Sequence, residues 1–102
     1  MAVQKKIFGD EHPDVATSYN KLGWLNFRIG EYNQAKEFYE KALMIRKRFF
    51  GEEHPDVATS YSNLGLVHNS IGEHREAKER LEKALTINTT IFGEEHPNVA
   101  AV

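Results

Sequence analysis

Histidines, adjacent glutamates and short basic runs are the groups in this chain that could bind a metal, move protons or hold an anion. His12, His54 and His96 recur at an interval of 42 residues, each inside the same His-Pro pair. One histidine per repeat places neighbours on the order of 20 Å apart. Zinc gathers its ligands to about 2.1 Å from one point. These histidines therefore read as residues that start helices, and no metal is expected. His68 and His74, six residues apart across a turn, read as surface positions. Glu52-Glu53 and Glu94-Glu95 read as solvated turn carboxylates rather than an acid and base pair. No serine, threonine or lysine stands at motif spacing from a group that would activate it, so neither an enzyme nor a cofactor is expected. Lys5-Lys6 and Arg46-Lys47-Arg48 have a phosphate-binding reading, set against the plainer one that cations complement a helix C-terminus. Asn88-Thr89-Thr90 matches a glycosylation sequon and reads as helix surface.

Composition narrows the partners further. The formal net charge is -2, which argues against nucleic acid as a partner, since that surface needs a basic face. Cysteine is absent, which removes disulfides and thiolate metal sites and fits an intracellular, cytoplasmic chain. Met1 to Asp10 has no apolar signal core, and no run approaches the roughly 18 apolar residues of a membrane span. No membrane partner is expected.

The elements that must position any site are set by an internal repeat. Gly9, Gly51 and Gly93 share the 42-residue interval, as do Pro13, Pro55 and Pro97. Segments 9–50 and 51–92 are identical at 24 of 42 positions, far above chance. The expected organisation is a tail of a preceding repeat at 1–8, whole repeats at 9–50 and 51–92, and the start of a third at 93–102. Such a chain looks like a segment cut from a longer array. Within each repeat, His-Pro-Asp starts a helix, with proline in the first helical position and the aspartate at the positive end of the dipole. Val15, Tyr19, Leu22 and Leu25 give that helix an apolar face. Gly30 and Gly72 are placed to end it. A second helix follows, carrying Ala35, Phe38, Tyr39, Ala42, Leu43, Arg46 and Phe50, with Ala77, Leu81, Ala84, Leu85 and Phe92 in the next copy. Gly23, Ala35 and Ala42, and then Gly65, Ala77 and Ala84, are small where paired helices must approach closely. No segment alternates with period two, so the fold class is all-α. Antiparallel helix-turn-helix repeats are expected, stacked side by side as an array.

Tyr19, Leu22-Gly23, Gly30-Glu31-Tyr32, Ala35, Tyr39 and Ala42 fall at the offsets that characterise tetratricopeptide repeats. Tyr61, Leu64-Gly65, Gly72-Glu73, Ala77 and Ala84 follow the same pattern, while His74 and Leu81 depart from its aromatic preference. The chain thus resembles the tetratricopeptide repeat family, which implies that the hairpins stack in a right-handed superhelix, an α-solenoid. Its 42-residue period and Gly-x-x-His-Pro-x-Val-Ala turn resemble the longer repeats of kinesin light chains.

The resemblance implies a protein-binding scaffold whose ligand lies along the concave face formed by the first helix of each repeat. Carried over, that face holds Thr17, Asn20, Trp24, Phe27 and Arg28 from the first repeat, and Thr59, Ser62, Leu66, Asn69 and Ser70 from the second. Trp24, Phe27 and Leu66 would form an apolar floor, with Asn20, Asn69 and Arg28 bonding a peptide backbone or carboxylate. The competing reading has Trp24 packing within its repeat or against a neighbour. The terminal-carboxylate clamp of some family members finds only Asn63 and Arg28 here, with no lysine at the matching positions. The expected partner is a protein or peptide. The alternative is a homodimer formed by end-to-end stacking or helix exchange.

Overall fold

A computed structural model of the protein describes residues 12–93. Four helices account for nearly all of this segment: α1 (Pro13–Arg28), α2 (Tyr32–Phe50), α3 (Pro55–Ser70) and α4 (His74–Phe92). The tail expected at 1–8 and most of the third copy, with His96, lie outside the described residues.

Each first helix begins as the His-Pro-Asp motif requires. The His12 Nδ1 accepts the Asp14 backbone N–H at 3.0 Å, and His54 does the same for Asp56 at 3.0 Å. An imidazole here takes the place usually filled by the oxygen of a serine or aspartate cap. Proline follows at the first helical position, where its missing N–H costs nothing. The helices end on Gly30 and Gly72, both at φ 88°, a backbone region open to glycine. Around Gly30 the Glu31 N–H bonds the Asn26 carbonyl at 2.8 Å and the Gly30 N–H bonds Phe27 at 3.1 Å. That pair is a Schellman closure, and it is repeated at Glu73 and Gly72 on His68 and Asn69.

The helices pack as successive hairpins, α1 on α2 and α3 on α4, with α2 on α3 joining them. The core follows the small residues: Ala35, Ala42, Ala77 and Ala84 are buried where helices cross. A methyl group on Gly23 would stand 2.9 Å from two carbons of the Tyr39 ring, and one on Gly65 would stand 2.7 Å from Leu81 Cγ. Val57, Tyr61, Leu64 and Val67 of α3 bury themselves with Tyr39 and Leu43 of α2 and with Ala84 and Ile87 of α4, while Ala16, Ala42 and Ile45 form a separate cluster between α1 and α2.

Two expectations about surface and core change. Leu22 and Leu25 are 42% and 53% exposed, while their counterparts Leu64 and Val67 are fully buried. The second pair has α2 beside it; among the described residues no helix stands in that place before α1. His68 is buried, not a surface residue, with Nδ1 2.6 Å from Glu73 Oε1. His74 stays exposed and meets Asn69 Oδ1 at 2.6 Å.

Arg46 also departs from the basic run in which it lies. It is only 7% exposed, and Nη1 donates to Ser60 Oγ at 2.9 Å and to the Asp56 carbonyl at 3.4 Å, tying α2 to α3. Burial pulls its pKa below the ordinary value, and the Asp56 charge opposes that shift. No helix among the described residues is long and apolar enough to cross a membrane.

Candidate functional site

The first helices carry the residues of interest, and the two copies diverge at positions 20, 21 and 24–28 and their counterparts. On α1, Trp24 and Phe27 are one turn apart, and both face the junction with α3. There they meet Leu66, Asn63 and Tyr39 around a hollow of about 180 Å³. A drug-sized ligand commonly takes about 300–1,000 Å³, so this notch suits one side chain of a larger partner.

Its walls are set by packing. Tyr39 is buried with its ring over Gly23, and burial pushes its phenol pKa up, keeping it neutral. Phe27 packs on Tyr32 at 5.3 Å between ring centroids. Trp24 is 50% exposed, and the Arg28 guanidinium lies 4.8 Å from its ring centroid, one turn along the same helix. Such a cation on an indole face orients both groups. Beside the notch, Asn63 Nδ2 donates to Asn20 Oδ1 at 2.8 Å, bridging the two first helices. Each amide keeps further donor and acceptor capacity, as a peptide backbone would need.

Of the residues expected on the concave face, the structure thus brings Trp24, Phe27 and Leu66 together, with Arg28 and Asn20 at the margin. Thr17 and Ser70 are exposed on their helices, and Ser62 is half-buried. Thr59 is exposed and turns its hydroxyl back to the Pro55 carbonyl at 3.1 Å. Asn69 lies apart, lining a second hollow with His74, Leu81 and Leu85. Two notch residues, Tyr39 and Asn63, were not among those expected to line the ligand path, and Asn63 entered only as a match to the terminal-carboxylate clamp. Tyr39 serves as both packing residue and wall. Asn63 differs from its counterpart Lys21, and that divergence was the available signal.

Lys47 pairs with Glu52 at 3.2 Å, and that hydrogen bond raises its pKa. Among the described residues no three histidine, aspartate or glutamate side chains converge as metal ligands.

A family model described as "Tetratricopeptide repeat" matches residues 1–48 and again 27–90, which spans most of the chain. No curated protein sequence matches it.

Proposed function

The chain belongs to the tetratricopeptide repeat family, and on that premise we propose that it holds an extended peptide along the face of α1 and α3. Repeats of this family are protein–protein interaction modules and serve as non-catalytic scaffolds. The observation that carries the finer reading is the notch itself, an open apolar hollow walled by Trp24, Phe27, Tyr39 and Leu66 beside the Asn20–Asn63 bridge. One apolar side chain of the peptide fills the notch, and the paired amides bond its backbone. Thr17, Arg28, Thr59, Ser62 and Ser70 line the rest of the path, which reaches Asn69 where the peptide runs on to the second hollow. The 42-residue period and the His-Pro helix starts support a subtype like that of kinesin light chains.

The test is selection from a displayed peptide library, followed by titration of the selected peptide into Trp24→Ala and Leu66→Ala. Removing a central aromatic anchor costs about 2 kcal/mol or more, near thirtyfold in affinity. Equal affinity for wild type and both variants would refute the groove.

A second reading, self-association, rests on Leu81 and Leu85, exposed where their counterparts Tyr39 and Leu43 are buried under α3. A second copy could cover them with Leu22 and Leu25. Sedimentation across a wide concentration range separates the two readings: a monomer throughout rules out the second, and dispersal of a dimer by Leu85→Glu supports it.

A further inference from the structure

A second, larger hollow shares no residue with the Trp24 notch. It occupies about 430 Å³ between α2 and α4, lined by Glu40, Leu43, Met44, Lys47, Arg48 and Arg80. Leu43 is buried, and Met44 stands exposed beside it. The cationic side chains outnumber the carboxylate here, in a chain whose net charge is negative.

The Arg80 guanidinium is the telling group. Its Nε is buried and has no hydrogen-bond partner among the described residues. A buried donor left unmet is costly, and arginine presents its N–H groups as a fork matched to carboxylates. The repeat does not require arginine here. Its counterpart is Phe38, whose ring stacks on Tyr19 at 6.0 Å. Likewise Lys47 and Arg48 correspond to Thr89 and Thr90. Lys5 and Lys6 hold the register of Lys47 and Arg48 one copy earlier, so among the described residues it is Arg80 that sets this junction apart from the repeat pattern.

We infer that this cleft docks an acidic peptide segment of a partner protein, one that alternates carboxylates with aliphatic side chains. A carboxylate takes the Arg80 Nε–H, with Lys47 and Arg48 adding charge. An aliphatic side chain rests on Leu43 and on Met44, whose flexible thioether adapts to irregular surfaces. That apolar floor favours a peptide over a bare inorganic anion, and a site on the second helices leaves the Trp24 notch open.

The experiment titrates the full chain into a short dye-labelled peptide of alternating glutamate and leucine, read by fluorescence anisotropy. Saturable binding is expected, weakening as salt rises from about 0.05 M to about 0.5 M. Arg80→Gln should lower affinity about tenfold, the scale of one charge-assisted hydrogen bond. Arg80→Lys, which keeps the charge but lacks the fork, should also bind more weakly than wild type, and Trp24→Ala should bind as wild type does. In the ¹⁵N-labelled wild-type chain the Arg80 Nε–H resonance should move on adding peptide, a readout that needs no variant. The proposal is overturned if binding does not saturate, if Arg80→Gln binds equally well, or if the Nε–H resonance stays fixed. It is also overturned if Trp24→Ala abolishes binding or if equimolar inorganic phosphate displaces the peptide.

Discussion

Replacing Gly23 with alanine sets two known effects against each other at the wall of the notch. In a helix interior alanine is favoured over glycine by about 1 kcal/mol. The added methyl group, however, would stand 2.9 Å from Tyr39 Cδ1 and Cε1 and 3.2 Å from Cγ. The ring has little room to retreat, because Tyr39 is buried against α3 and the surrounding core. Overpacking of this kind costs about 1–3 kcal/mol. The steric term should win by about 1 kcal/mol, lowering the thermal midpoint by about 4–8 °C for a chain of this size. Gly65→Ala supplies the control. Its methyl group meets Leu81 at 2.7 Å and the Ala77 carbonyl oxygen at 3.3 Å; Leu81 is substantially exposed and can change rotamer, which leaves the milder backbone contact. Urea unfolding followed by circular dichroism measures both, and Gly23→Ala should be the more damaging. The double change Gly23→Ala/Tyr39→Leu should recover part of the loss. If Gly23→Ala stabilises the chain, or costs no more than Gly65→Ala, the close approach of α1 and α2 at Tyr39 is not as described.

Ser60→Ala removes the acceptor 2.9 Å from Arg46 and leaves a buried guanidinium short of a partner, which should cost about 1–3 kcal/mol in the same urea assay. Arg46→Met removes the charge with it and should cost less than Ser60→Ala, since an apolar side chain of similar volume often replaces a buried ion without loss. The Glu73 carboxyl is held below its ordinary 4.5 by the His68 hydrogen bond, with a lesser contribution from the Lys36 charge. A depressed carboxyl pKa stabilises the folded chain above the ordinary value, and that contribution is lost as pH falls through the lowered one. Urea midpoints should therefore decline less below pH 4.5 for Glu73→Gln than for wild type.

Helix starts, helix stops and close approaches were legible because each rests on a local rule. Proline after histidine, glycine at the end and glycine or alanine at a crossing have few physical alternatives. The imidazole as cap acceptor was not legible, since the His-Pro pair shows where the helix begins and not which atom meets the Asp14 N–H. His68 looked like surface because it sits beside a turn, six residues from His74; its burial depends on packing between helices that the local sequence does not display. Arg46 was hidden by its neighbours Lys47 and Arg48, though the 3.6-residue period already placed it on the face of Ala42 and Leu43. At the candidate site, the apolar trio Trp24, Phe27 and Leu66 came from the family resemblance, carried over onto the first helix of each repeat. Asn63 did not, because its partner Asn20 lies 43 positions away and the contact depends on how the first helices line up across repeats.

The chain holds a single tryptophan, and it stands at the mouth of the notch. Intrinsic fluorescence during titration with a library-selected peptide therefore reads the central claim directly. Entry of an apolar side chain beside the half-exposed Trp24 should shift its emission to shorter wavelength, saturating at the affinity found by an independent mass-based binding assay. Binding in that assay with no change in Trp24 emission would place the peptide elsewhere on the molecule and contradict the account.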